Sequence, residues 1–135
     1  MRTAATAAAG IVVAATVACG SSREPLHVVV ARVGDKAQPC TVKVYLGGSA
    51  GRATRKAVER TALRQRGVTS IVFISKEVSL KRLSKEYPGM TSSLAYNPLP
   101  DEYDVAFDDV VDAAIGAEHL RLPRVMRVVR PSYCP

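Results

Sequence analysis

Residues 41–46 alternate, with Val42, Val44 and Leu46 on one face and Thr41, Lys43 and Tyr45 on the other, which predicts a half-buried strand. The glycine-rich stretch 47–51 ends it. Across 52–66, Thr54, Ala57, Val58, Thr61, Ala62 and Gln65 recur on one helical face while Arg52, Arg55, Lys56, Glu59, Arg60 and Arg64 fall opposite, and Gly67 closes the helix. Leu63 projects from the charged side as a candidate contact. Residues 68–74 form a strongly apolar second strand, and Ser75 caps the next helix with Glu77 favourably placed in its first turn. Leu80, Leu83 and Tyr87 share a face of that helix, with Leu83 assigned to the core. Pro88-Gly89 stops it, and 90–100 sets Met, Leu and Tyr side chains among polar residues and prolines, an insert rather than a linker. Tyr103, Val105 and Phe107 alternate with Asp104, Ala106 and Asp108 in a third strand. Asp108 caps a helix reaching about residue 120, and 125–130 forms a fourth strand.

The order is βαβ, helical insert, βαβ. It predicts an α+β fold, a ferredoxin-like split βαβ sheet with a helical lobe inserted between the two halves, in which the first and last strands lie adjacent and antiparallel. That arrangement brings the positions of Cys40 and Cys134 to one edge of the sheet. Ahead of it, residues 26–33 are β-rich and form either an extra edge strand or the end of a tether; Gly34-Asp35-Lys36 then turns the chain.

Composition narrows the class. The chain has 135 residues, 47% hydrophobic and 23% charged, which fits one globular domain and excludes long-range disorder, a multi-span permease and a large two-domain enzyme. Met1-Arg2-Thr3 gives a short positive start, and the uncharged run from Ala4 to Ala18 would span only roughly 22 Å as a helix, short of the ~30 Å hydrocarbon core. It reads as a signal peptide, residues 1–18. Thr16-Val17-Ala18-Cys19 resembles a bacterial lipobox with Thr where Leu is usual, so Cys19 is the lipidation candidate; ordinary cleavage and a free secreted protein is the alternative. The remaining division is a lipidated Cys and short tether at 19–25, the 26–40 segment, and a domain at 41–135 on the outer face of the membrane, held by the lipid anchor only. Removing Cys19 leaves Cys40 and Cys134, an even pair in an exported chain, which predicts a disulfide.

The formal charge of +7 falls to +6 once Arg2 leaves with the leader, so an anionic neighbour is expected. Export takes nucleic acid out of reach. The exposed helix face of Arg52, Arg55, Lys56, Arg60 and Arg64 therefore suits anionic lipid or wall polymer, or is simply solvated. Gly47-Gly48-Ser49-Ala50-Gly51 satisfies G-x-S-x-G after a strand and before a helix, but a hydrolase needs a larger sheet and an oxyanion hole. A serine hydrolase using Ser49 is kept only as a remote alternative to a glycine-rich turn. No cofactor is implied: the glycines lack a P-loop Lys, and His27 and His119 lack metal spacing and are read as surface residues. The acidic run 101–118 has no Gly at a calcium-loop position and is read as solvated surface.

Read together, Val42-Lys43-Val44-Tyr45-Leu46, Phe73-Ile74-Ser75-Lys76-Glu77 with Leu83 and Tyr87, Asn97-Pro98-Leu99-Pro100, Tyr103-Asp104-Val105 and Leu122-Pro123-Arg124-Val125 occur in an order that resembles the extracellular domain of the cell-division protein FtsX. The resemblance covers roughly residues 41–130. It implies a non-enzymatic domain whose helical lobe, here 75–100, offers an apolar surface to a peptidoglycan hydrolase or another envelope division protein. Tyr87, Met90, Leu94, Tyr96 and Leu99 are the residues it marks for partner binding. The permease helices of FtsX are not found in this sequence, which implies a stand-alone version.

Overall fold

Alternation in the first predicted strand is borne out: Val42, Val44 and Leu46 are buried, whereas Thr41, Lys43 and Tyr45 are half-buried. The computed structural model describes residues 25–131 and Cys134, so the signal peptide at 1–18 and the lipidation candidate Cys19 lie outside the described residues. In chain order the elements are β1 (Val28–Val30), β2 (Thr41–Leu46), α1 (Arg52–Leu63), β3 (Val68–Ile74), α2 (Lys76–Glu86), β4 (Glu102–Phe107), α3 (Val110–His119) and β5 (Val125–Val129).

The five strands form one sheet in the order β1-β3-β4-β2-β5. β4 runs antiparallel to both β3 and β2, and β2 is antiparallel to β5. Each βαβ unit is therefore split by a strand of the other, the ferredoxin-like arrangement. β1 adds to the outer side of β3 in parallel, with Val28 opposite Ile71 and Val30 opposite Phe73. The antiparallel pairing of β2 and β5 brings Cys40 and Cys134 together in a disulfide, with Cα atoms 4.6 Å apart.

One sheet face carries the core. Val42, Val44, Leu46, Ile71, Tyr103, Val105 and Phe107 pack against Val58 and Ala62 of α1 and Ala113, Ala117 and Leu120 at α3. The helices contribute small side chains, which lets their backbones approach the sheet closely. Gly116 takes this furthest, since a Cβ there would collide with the Phe107 ring.

The structure corrects several expectations. β4 is buried on both faces, because it is the central strand and because α2 and the segment before β2 reach over its second face. Asp104 is thus buried rather than solvated, and Asp112 of the same acidic run is buried on α3, its side chain packed over Gly67. Asp104 accepts from Lys43 Nζ at 2.9 Å, and Asp112 pairs with Arg66 Nε at 3.3 Å. Asp109 rather than Asp108 caps α3, its Oδ1 accepting from the backbone of Val111 and Asp112 at 2.8 and 2.9 Å. α1 stops at Leu63, short of residue 66, and Leu83 is half-buried rather than part of the core.

Candidate partner-binding lobe

The lobe begins where β3 leaves the sheet. Ser75 Oγ accepts from Val78 N and caps α2, and the exposed Glu77 in the first turn has its carboxyl held below the usual range by backbone hydrogen bonding and Ser75. Lys76 N donates to Asp101 Oδ1 at 2.8 Å, and Asn97 Nδ2 donates to Lys76 O at 2.8 Å. Asn97 Oδ1 in turn accepts from Leu99 N at 3.0 Å. One amide thereby ties the start of α2 to the returning chain and shapes the Pro98-Leu99-Pro100 exit, so the Asn-Pro-Leu-Pro motif acts as the clasp at the lobe's base. After α2 the chain makes turns without further helix, fastened by Ser84 Oγ and Thr91 Oγ1 at 2.6 Å.

α2 lies over the sheet face opposite α1 and α3 and has no fully buried residue. A hollow of about 460 Å³ separates Leu83, Leu99 and Pro100 from the polar residues Lys43, Tyr45 and Glu102 on the sheet. Burial pushes the Glu102 carboxyl above its ordinary value, and Lys43 at 3.7 Å only partly offsets this. Burial lowers Lys43, but its hydrogen bond to Asp104 and the charges of Asp104 and Glu102 prevail, so its ammonium is held above the usual value. Tyr45 is likewise raised, by burial and by Glu102. The far side of α2 is held by Arg82, whose Nη2 donates to Arg32 O at 2.7 Å.

On the outside of the lobe, Tyr87, Met90, Leu94 and Tyr96 are exposed by 49%, 58%, 42% and 76% of their surface, well beyond what roofing the sheet would allow. Leu99 is half-buried. Tyr96 and Leu99 meet Met126 of β5 around a second hollow of about 310 Å³, near Gly47 and Lys76. Tyr87, Met90 and Leu94 line neither hollow and stand on the turns beyond α2. Sequence reasoning missed Met126, because a strand with two exposed residues gave no sign that its register would carry a methionine to the lobe's base. It also missed the exposed Val110, Val111 and Ile115 on α3.

The other candidates fall elsewhere. Arg52, Lys56, Arg60 and Arg64 are exposed along α1, whereas Arg55 is half-buried with its guanidinium 5.5 Å from the Phe73 ring centroid. Ser49 is exposed in the turn after β2, and His119 Nδ1 lies 2.7 Å from Gln65 Oε1 rather than beside it. β2 is antiparallel to both neighbours, unlike the parallel strand that presents a hydrolase nucleophile. The glycines have a different cause: Gly47 N donates to Arg124 O at 2.9 Å, and a Cβ on Gly47 would sit 3.0 Å from that oxygen. Among the described residues there is no cluster of His, Cys, Asp and Glu able to hold a metal ion, and no helix long and apolar enough to cross a membrane.

The sequence model of the FtsX extracellular domain matches residues 40–132, about two thirds of the chain. The chain belongs to the FtsX extracellular domain family. The fold is shared with solved structures, among them two FtsX extracellular domains. The crystal structure of extracellular domain 1 of FtsX from S. pneumoniae in complex with undecyl-maltoside aligns with TM-score 0.57 at 21% identity, covering 70% of this chain and 97% of that one. The solution structure of the large extracellular loop of FtsX in Streptococcus pneumoniae gives 0.51 at 19% identity, covering 68% and 99%. No curated protein is significantly similar to the chain in sequence. The FtsX match starts at residue 40, so β1 and the segment leading to Pro39 lie before it.

Proposed function

We propose that this FtsX extracellular domain is a non-enzymatic binding module of the cell envelope that engages a peptidoglycan hydrolase or another envelope division protein through its lobe. One observation carries the reading: four large apolar side chains, Tyr87, Met90, Leu94 and Tyr96, stand exposed within ten residues on an element clasped to the sheet at its base. Exposing them to water is unfavourable, and covering them with a partner recovers roughly 1.5–3 kcal/mol for each that becomes fully buried. Leu99 and Met126 complete the apolar rim at the base. A photocrosslinker at Met90 or Leu94 in living cells is expected to capture a wall hydrolase or a division component, and Met90→Asp or Leu94→Asp to abolish co-purification at physiological and at raised salt. Capture of neither, or wild-type recovery by both Asp variants, overturns the reading.

Membrane attachment through Cys19, or release as a secreted protein, is the setting we propose for it. A second reading rests on the exposed Arg52, Lys56, Arg60 and Arg64, which suit anionic lipid or wall polymer. Contact of that kind weakens steeply between low and physiological ionic strength, whereas the lobe contact does not.

A further inference from the structure

Among the described residues, β1 is an edge strand whose outer side is open. Ala31 N donates to Phe73 O on β3 at 2.8 Å, and a strand alternates its backbone groups side to side. The N–H and C=O of Val28 and Val30 therefore point away from the sheet, as a ladder without its next strand. Beside this edge runs a groove of about 530 Å³ between β1 and the first turns of α1. Val28, Val30, Phe73 and Tyr103 form its apolar floor, and Arg52 and Lys56 stand on its wall. The wall's one acid, Glu59, already accepts from Tyr103 Oη at 2.5 Å. Val30 is 67% exposed, so nothing among the described residues covers the edge.

We infer that the β1 edge accepts an extended acidic-apolar segment of a partner protein as an added strand, its backbone pairing with Val28 and Val30 and its alternate side chains entering the groove against Arg52 and Lys56. An added strand places every second side chain over the helix-covered face, where the floor is apolar and the wall cationic, so a segment whose every second residue is by turns aliphatic and carboxylate matches both. A second copy of this chain does not fit, since its own β1 would bring Arg52 and Lys56 against the same cations, and each chain carries a net charge of +7. Nor does the chain's N-terminal stretch fit: the 24 residues before Pro25 hold a single acid, Glu24, against Arg2 and Arg23. A lipid surface would use the cations but leave the strand edge idle. The site lies on the helix-covered face, away from the lobe on the opposite face, and is independent of the function proposed for that lobe.

A fluorescent eight-residue peptide with Val and Glu taking turns at every second position and Thr at the positions between, titrated by anisotropy against the intact chain, tests this. Saturable binding is expected, with the largest amide shifts at Val28–Val30 by NMR. Val30→Pro removes an outward N–H while sparing the ladder to β3, and is expected to weaken binding about tenfold. Arg52→Glu with Lys56→Glu, which leaves the strand untouched, is expected to do the same. The same peptide N-methylated at alternate residues is expected not to bind, and Met90→Asp to leave binding unchanged. No binding, equal binding of the N-methylated peptide, or tighter association with phosphatidylglycerol vesicles that Val30→Pro does not alter overturns the inference.

Discussion

At the scale of the residue, Tyr103 is where polar chemistry enters the core. Its ring packs against Phe73 at a 52° tilt with centroids 5.1 Å apart, and its hydroxyl donates to Glu59 on α1. Burial first, then the Glu59 carboxylate, pushes the phenol well above its ordinary value of 10.0. The folded state therefore favours the neutral phenol, so this stability is complete below the unfolded value of about 10 and is lost as pH rises above it. Tyr103→Phe is expected to cost about 1 kcal/mol at pH 7 and to make the loss of stability between pH 9.5 and 11 shallower, as read by urea unfolding. An unchanged alkaline slope would show that other groups, Lys43 among them, set it. Asn97 is the second test. Asn97→Ala breaks both links of the clasp and leaves Lys76 O and Leu99 N to find water, so the lobe is expected to loosen while the sheet keeps its melting behaviour. The importance of Asn97 was legible only through family resemblance, because nothing in an Asn-Pro-Leu-Pro string says that its amide reaches back to residue 76.

Among the elements, α2 and α3 behave as opposites. α3 is pressed onto β4 through Gly116, where Phe107 fills the space a side chain would need. Gly116→Ala gains about 1 kcal/mol in helix propensity but forces the ring or the helix aside at roughly 1–3 kcal/mol, so net destabilisation is expected in urea titrations. α2 buries no residue fully and is held by polar links, Ser75 within it and Arg82, Asn97 and Asp101 across. Hydrogen exchange is expected to be faster in α2 than in β2 and β4 at the sheet's centre, and faster again in Arg82→Ala. Protection of α2 equal to that of β4 would contradict this. Helix and strand periodicity made most elements legible, since each buries one stripe or one face. It misread β4, whose two-sided burial is set by a neighbouring insert and by strand order, neither of which appears in the strand's own six residues. Tyr87, Met90, Leu94 and Tyr96 stood out because large apolar side chains between helix breakers have no periodic face to join, whereas Met126 was hidden inside an ordinary strand pattern.

For the whole molecule, one covalent bond closes nearly the entire folded domain. Cys40 and Cys134 are 94 residues apart in sequence, and the sheet sets them together because β2 and β5 are antiparallel neighbours. Parity of cysteines in an exported chain and the split βαβ order each pointed to this pairing without the other, which is why it was among the most legible features. A loop of this length restricts the unfolded chain, and losing the restriction costs typically about 2–4 kcal/mol. The effect acts mainly on the unfolded state. Cys40→Ser with Cys134→Ser is therefore expected to lower unfolding free energy by that amount and raise the urea m-value, since the freed chain exposes more surface. Sheet amide shifts and crosslinking from Met90 are expected to persist, because the lobe hangs on the Asn97 and Arg82 links, which the bond does not touch. If removing the disulfide instead erased the lobe's crosslink while leaving the sheet folded, the clasp would not be what orients the lobe, and the link between sheet closure and partner binding would have to run through β5 and Met126.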